Sequence, residues 1–353
     1  MSLKYFNRTN YTQKQKLLCT STFVVCAFVV FILVIQNNSQ LYQDFRIDNI
    51  TESEPDIFVS NDTYNTIFKY PDGNICEPDY EGLVGRIPVY LDGPNFTTLN
   101  SLYPNVQAGG HYFPPDCQPV QKVAILVPFK NRYGQLRVFL HNLHSTLRKQ
   151  KIDYTIILIE PVGNVTFNRG KLLNIGFVEA QKLYDFDCFI FHDVDLIPED
   201  DRNLYNCGEK PRHMSASINK FNYELPYQTI FGGASAISKQ QFIKVNGYFN
   251  DYWGWGMEDD DLYIRIKHSG MRISRFPMEI SRYYMISHKR EPRNQVNSQR
   301  MLIHSKTIKK FRKEGLNNLA YKVMGVEFYQ LYTKIIVDVL EKESNMLMNE
   351  KYA

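Results

Sequence analysis

Only two tryptophans occur among the 353 residues, Trp253 and Trp255, and cysteine is almost as scarce at six. No C-x-x-C pair exists, which removes the usual spacing signal for zinc. Net charge is only +4, with no concentrated basic face, so the chain carries no nucleic-acid footprint. Its one basic run, "SKTIKKFRKEG" (Lys306, Lys309, Lys310, Arg312, Lys313), reads as a solvated helix face. No internal repeat recurs, so the fold is not an array of one unit. What is abundant is apolar and aromatic: 44% hydrophobic residues with 24 Tyr and 23 Phe describe a folded, ligand-capable protein of one large domain or two modest ones.

Long apolar runs are also rare; there is one. "LLCTSTFVVCAFVVFILVI", residues 17–35, is uncharged and as a helix would extend roughly 28 Å. Lys4, Arg8, Lys14 and Lys16 precede it, and Asp44, Asp48, Glu52, Glu54 and Asp56 follow. Positive flanks stay cytoplasmic, and no small-residue cleavage site follows the run. The expectation is a transmembrane signal-anchor at 17–35, a cytoplasmic tail at 1–16 and a polar luminal stem at 36–75. Outside the span stand Cys76, Cys117, Cys188 and Cys207. An even number in an oxidising lumen implies two disulfides, with three pairings open. Sequons at Asn49, Asn61, Asn95 and Asn164 suit that compartment.

After residue 120 the pattern sharpens. "KVAILVP" (122–128), "YTIILIEP" and "CFIFH" (188–192) are short apolar runs, each expected as a buried strand. Between them Leu136, Phe139, Leu140, Leu143 and Leu147, and then Leu173, Phe177, Ala180 and Tyr184, mark one-sided helices. Strand, helix, strand, helix, strand is the pattern of a parallel sheet with right-handed crossovers. Ligands in such α/β sheets bind beyond the carboxyl ends of the strands.

Three strand ends carry "PFKNR" (128–132), "EPVGNVTFNRGK" (160–171) and "HDVDLIP" (192–198). Asp193 and Asp195 flank Val194. Carboxylates so placed can hold a divalent cation against a diphosphate, whose oxygens complete the shell. A D-x-D by itself is weak, and an acidic turn is the bland alternative; its place at a strand end raises it. Arg132, Arg169, Lys171 and Lys220 are the cationic complement for phosphate oxygens, and Phe129 and Phe167 could flank a base. Further on, "DYWGWGMEDDDLYIRI" welds a glycine-hinged aromatic loop to four abutting acids, Glu258 to Asp261. A helix dipole accommodates one or two acids in a first turn; four repel one another and require a counter-charge or a task.

"FNRGKLLNIGF", "FHDVDLIPEDD", "FGGASAISKQQF" and "WGWGMEDDDLYIR", in this order and spacing, resemble the β-1,4-galactosyltransferase family. The likeness runs from about Cys76 to Asp338. It implies an α/β fold of the GT-A glycosyltransferase type, Rossmann-like with a mostly parallel sheet and flanking helices, over a catalytic domain at 76–340, with 341–353 a polar tail. It also implies a type II Golgi membrane enzyme with a luminal catalytic domain, using manganese. Pro128, Phe129, Lys130, Asn131, Arg132, Phe167, Asn168, Arg169, Asp193, Val194, Lys220, Gly233 and Trp255 would hold the UDP-sugar donor. Lys130 stands where the family often has arginine. Asp195, Met285 and His288 would bind the metal, an assignment for Met285 that rests on the resemblance alone. Asp259 would be the catalytic base, with Phe221, Tyr227, Met257, Glu258, Asp260 and Arg300 completing the acceptor site and Asp261 a helix-cap residue. Met257 replaces a glycine common in the family. Cys76 would pair with Cys117 and Cys188 with Cys207.

Galactose-transferring members carry a tyrosine before "FGG"; here Ile230 stands in that place, as in relatives that transfer N-acetylgalactosamine. Isoleucine leaves room for an acetamido group and offers its methyl an apolar contact. The expected reaction is therefore inverting transfer of N-acetylgalactosamine from UDP-GalNAc in β-1,4 linkage to terminal N-acetylglucosamine on glycoprotein or glycolipid, with UDP-galactose as the alternative donor. A non-catalytic sugar-binding subunit is disfavoured by the presence of Asp195, Asp259 and His288. A two-metal phosphohydrolase is disfavoured by a single D-x-D with one distant histidine.

Overall fold

The computed structural model describes residues 74–76, 82–287, 294–344 and 346, all within one compact unit. The cytoplasmic tail, the span at 17–35, the stem up to residue 73, and His288 lie outside the described residues. Among the described residues no helix is long and apolar enough to cross a membrane.

The chain runs α1 (Phe96–Leu102), β1 (His111–Tyr112), β2 (Lys122–Pro128), α2 (Tyr133–Leu147), β3 (Asp153–Pro161), α3 (Arg169–Leu183), β4 (Cys188–His192), β5 (Leu196–Pro198), β6 (Arg212–His213), β7 (Ser217–Ile218), β8 (Ala234–Ser238), α4 (Lys239–Lys244), α5 (Glu258–His268), β9 (Arg282–Met285), α6 (Arg300–Ser305), α7 (Thr307–Lys310), β10 (Lys322–Phe328) and β11 (Thr333–Asp338). The three apolar runs are strands and the two periodic stretches are helices, as the sequence pattern requires.

An eight-stranded sheet has the order β10-β11-β3-β2-β4-β8-β6, with β1 paired to β3. Strand β2 shows why it sits centrally. Val123, Ile125 and Val127 join α2 in one core cluster, whereas Ala124 and Leu126 join α3 in the other. Successive side chains of a strand face opposite ways, so a strand covered by helices on both faces reads as a continuous apolar run.

The expectation of a mostly parallel sheet holds only for its centre. Strands β11, β3, β2 and β4 are parallel, but β1, β6, β8 and β10 pair antiparallel. The connection from β10 to β11 spans only 329–332, too short for a crossover, so it can form only a hairpin. The chain after β4 first lays down β5 and β7, then returns as β8 beside β4 in the opposite sense, and only later adds β9 between β5 and β7 to form a small sheet.

Both disulfides implied by the resemblance are present, Cys76–Cys117 and Cys188–Cys207. The second ties the start of β4 to the segment beyond β5. The carboxyl ends of β2, β3 and β4 thus lie along one edge, where the D-x-D begins.

Candidate active site

Asp193 leaves β4 with its N–H donating to the Gly233 carbonyl at 3.2 Å. Its carboxylate accepts from Arg169 Nε at 2.6 Å, and an Arg169 Nη donates to the same Gly233 carbonyl at 3.2 Å. The other Nη of Arg169 lies 3.8 Å from Glu258 Oε1, too far for a hydrogen bond. That Nη is buried and makes no hydrogen bond. Arg169 therefore joins the strand-end carboxylate to the first turn of α5. It is one of the counter-charges these acids require; Asp261 has its own in Arg265.

The acids divide by environment. Burial, reinforced by the charge of Asp259 and opposed by Arg169, pushes Glu258 up to about 8. Asp259 is likewise raised, by burial first and then by Asp260. Its carboxylate lies so close to Gly232 that a Cβ at that position would collide with it. Glycine is required there by close approach rather than by its φ. Burial, reinforced by the charges of Asp259 and Asp260, raises the Tyr227 hydroxyl well above its ordinary value, so one expected acceptor aromatic lies near the acid cluster. Asp261 is not a cap. It is fully buried, accepts from Arg265 Nε at 2.5 Å and Tyr252 Oη at 3.2 Å, and also bonds the Thr307 hydroxyl. Arg265 in turn donates to the carbonyls of Gly247 and Glu314 at 3.0 and 2.8 Å. Asp261 thus fixes the direction of the helix that bears the other three acids.

Asp195 and Met285 come together through β5 and β9. Leu196 pairs with Met285, and the Ile286 N–H donates to the Asp195 carbonyl at 2.8 Å. Asn219, a residue the sequence reading passed over, accepts from the Met285 N–H at 2.7 Å and pins that strand end. Lys220 and Phe221 follow Asn219 directly, the ammonium lying 5.8 Å from the Phe221 ring centroid. Among the described residues no group of three His, Cys, Asp or Glu could hold a metal ion. Asp195 and Met285, neighbours through their backbones, offer a carboxylate and a thioether, part of a transition-metal shell that another side chain and phosphate oxygens would complete. His288, three residues past Met285, is outside the described residues.

The aromatic loop is clipped at both ends. The Gly254 N–H donates to the Phe167 carbonyl at 2.8 Å, the Trp255 N–H to Gln295 O at 2.8 Å, and the Asn297 N–H to Trp255 O at 3.3 Å. Gly254 has φ +84°, and a Cβ there would strike the Gln295 carbonyl. Trp255 is 56% exposed, and the Arg300 side chain lies against Gly256. Met257, the residue before α5, has φ +80° and packs on the α3-side core. A side chain in that region costs on the order of 1 kcal/mol or more. Met257→Ala keeps this strain and loses the packing; Met257→Gly loses both. We expect the glycine variant to be more stable than the alanine variant by about 1 kcal/mol in urea unfolding. Equal midpoints would mean that the backbone is unstrained.

Several of the residues expected at the donor have their side chains engaged in structural contacts. The Phe129 ring is fully buried and packs edge-on against Tyr133 at 5.1 Å, because β2 carries it into the core. Lys130 Nζ donates to Gly163 O at 2.9 Å and Val165 O at 3.4 Å, holding the neighbouring loop. The Asn168 side chain caps α3, accepting from the Lys171 N–H at 2.9 Å and donating to Asn250 O at 2.7 Å. Lys171 itself is 2% exposed, and burial brings its ammonium down to about 8. It faces the chain terminus, not the D-x-D. Val194 is buried in the α2-side core and Pro128 ends β2, whereas Asn131 (φ +49°) and Arg132 stand at the rim and Phe167 is half-buried. Ile230 is also half-buried; its carbonyl accepts from Arg275 at 2.8 Å and its N–H donates to Tyr227 O at 3.3 Å. Only Phe231 separates it from Gly232, against which the Asp259 carboxylate lies.

Two family descriptions match this chain in tandem. "N-terminal region of glycosyl transferase group 7" covers residues 76–208, and "N-terminal domain of galactosyltransferase" covers 212–289. The chain belongs to the β-1,4-galactosyltransferase family. That family is one of hexosyltransferases, and its mouse member β-1,4-galactosyltransferase 1 is 51% identical over 269 residues, 75% of this chain and 66% of the relative, just under two thirds. β-1,4-Galactosyltransferase 2 of Cricetulus griseus is 47% identical over 266 residues, 75% of this chain and 72% of the relative. Among solved structures, the catalytic domain of Drosophila β-1,4-galactosyltransferase 7 in complex with xylobiose is similar at TM-score 0.54 and 30% identity, over 62% of this chain and 94% of that one. A second structure of that Drosophila galactosyltransferase, a mutant with the same agreement, is a complex with manganese, UDP-Gal and xylobiose. The expected GT-A type of fold is thereby supported for the described residues.

Proposed function

We propose that this chain is an inverting β-1,4-hexosyltransferase that moves a galactose-type sugar from UDP to terminal N-acetylglucosamine. One observation carries the reading: Arg169 lies between the D-x-D at Asp193 and the Glu258–Asp259 pair at the start of α5. A donor diphosphate at the strand ends and an acceptor hydroxyl at α5 would therefore meet across a single guanidinium.

In this mechanism Asp259 accepts the proton of the acceptor hydroxyl as that oxygen attacks the anomeric carbon. Glu258, largely protonated at neutral pH, donates a hydrogen bond to a sugar oxygen. Asp260 and Tyr227 orient the acceptor ring. Arg169 balances charge on the departing UDP, with Arg132 and Lys220 at the rim of the cleft. Manganese, held by Asp195, Met285 and His288, would supply further neutralisation of the diphosphate. Trp255 closes over the donor on its glycine hinges. The α-linked donor yields a β-linked product in one displacement, with no covalent sugar–enzyme intermediate. The span at 17–35 would hold the enzyme in the Golgi membrane with this site luminal.

Galactose is the leading donor, because the sequence relatives described above are galactosyltransferases by name. The N-acetylgalactosamine reading takes second place, favoured by Ile230, two residues before Gly232 and half-buried. A donor panel on the full chain with manganese and free N-acetylglucosamine separates the two. Under the first reading UDP-galactose is the better donor by kcat/KM; under the second the order reverses, and Ile230→Tyr shifts the ratio toward galactose by about tenfold or more. Turnover of neither donor would overturn the proposed reaction.

A further inference from the structure

Residues 339–344, directly after β11, fold back onto the domain. The Asp338 carboxylate accepts from the Leu340 N–H at 2.9 Å, and Leu340 adopts φ +51°. This turn reverses the chain into a helical segment at 341–344, where the Ser344 N–H donates to Leu340 O at 3.0 Å. The reversal brings two groups onto the loop at 162–168 and the start of α3. Glu341 Oε2 accepts from the Thr166 N–H at 3.1 Å. Lys171 Nζ donates to Val339 O at 2.6 Å and Ser344 Oγ at 3.0 Å, while lying 5.3 Å from the buried Trp253 ring.

We infer that the C-terminal segment Val339–Ser344 is a brace that positions the donor-binding loop, with Glu341 as its positioning residue. The loop at 162–168 carries Phe167 and leads into Arg169. Its ends are held by the Val162 N–H on Val337 O, by the Gly254 N–H on Phe167 O and by the Asn168 side chain on Asn250 O, and Lys130 holds the carbonyls of Gly163 and Val165. Glu341 adds a charge-assisted hydrogen bond from the opposite side, one residue from Phe167. Lys171 fixes the other end of the brace, so the segment touches the loop and the first turn of α3, and Lys171 links it to Trp253 at the base of the aromatic loop. Ordering these three elements before substrate arrives lowers the entropy that donor binding would have to offset.

The inference rests on reading the loop as a donor site, so the test carries one readout that is independent of catalysis. In the full chain, Glu341→Ala should raise hydrogen exchange at the Thr166 amide by about tenfold, the loss expected for one charge-assisted hydrogen bond. KM for the UDP-sugar should rise by a similar factor, with kcat and the acceptor KM changed by no more than about twofold. Glu341→Gln, which keeps an acceptor oxygen, should recover most of both effects. Lys342→Ala, on the exposed side of the same segment, should change neither. Unchanged Thr166 exchange in Glu341→Ala would overturn the brace. Raised exchange with an unchanged donor KM would overturn its role in donor binding. An inactive parent chain would refute the donor reading instead, leaving the exchange result to decide the brace.

Discussion

Replacing Asp259 by asparagine should lower kcat by about a thousandfold, the middle of the range for a positioned general base. Donor KM should stay within a few-fold, because the Arg169–Asp193 pair is untouched. The carboxamide has nearly the same shape and fits beside Gly232, but it cannot accept the acceptor's proton. The pH profile provides a second readout. Burial raises Asp259, and Asp260 adds to the rise, so the base exists more as the protonated acid than an exposed aspartate at the same mildly acidic pH. Activity of the parent should therefore climb with pH through an apparent pKa above the ordinary value near 3.9. That acid limb should be absent from whatever turnover the variant retains. Residual activity within tenfold of the parent would remove Asp259 from the reaction.

Arg169→Met should have the second-largest effect, on the donor side. Its guanidinium is 14% exposed and contacts Asp193, which keeps 31%, and faces Glu258, which keeps 12%. Methionine preserves the apolar stem but leaves two partly buried carboxyls without a cation. Truncating one partner of such a pair costs about 2–5 kcal/mol in binding, so donor affinity should fall by at least thirtyfold. Arg169→Lys restores charge without the planar fork that reaches Asp193, Gly233 O and Glu258 together. It should recover only part of the loss. Full recovery by lysine would show that charge alone matters at this position.

Much of the fold was legible because its centre is encoded locally. β2, β3 and β4 are continuous apolar runs, and their flanking helices show a clear stripe, so the strand-end placement of Asp193 followed from pattern. The antiparallel flanks were not legible, since the direction of β8 and β10 depends on where the chain returns. At the site, the spacing of the acids signalled a need for a cation without naming it. Arg169, 89 positions before Glu258, is chosen by the packing of α3 against α5. Phe129, Lys130, Asn168 and Lys171 lie in the right motifs, yet the fold turns their side chains to the core, to a loop, to a cap and to the segment 339–344. Motif proximity in sequence does not specify which way a side chain points.

By itself the sequence determined the chemistry on offer: a D-x-D beyond a buried strand, a glycine-hinged tryptophan loop, a block of acids, and four cysteines for two disulfides. Tertiary structure alone decided which of these groups meet. Asp259 lies against Gly232, Met285 stands beside Asp195, and Glu341 reaches the Thr166 amide, each across a separation that no local pattern encodes. The physical reason is that strand order and helix packing, not chain spacing, set the distances over which charge and hydrogen bonding act.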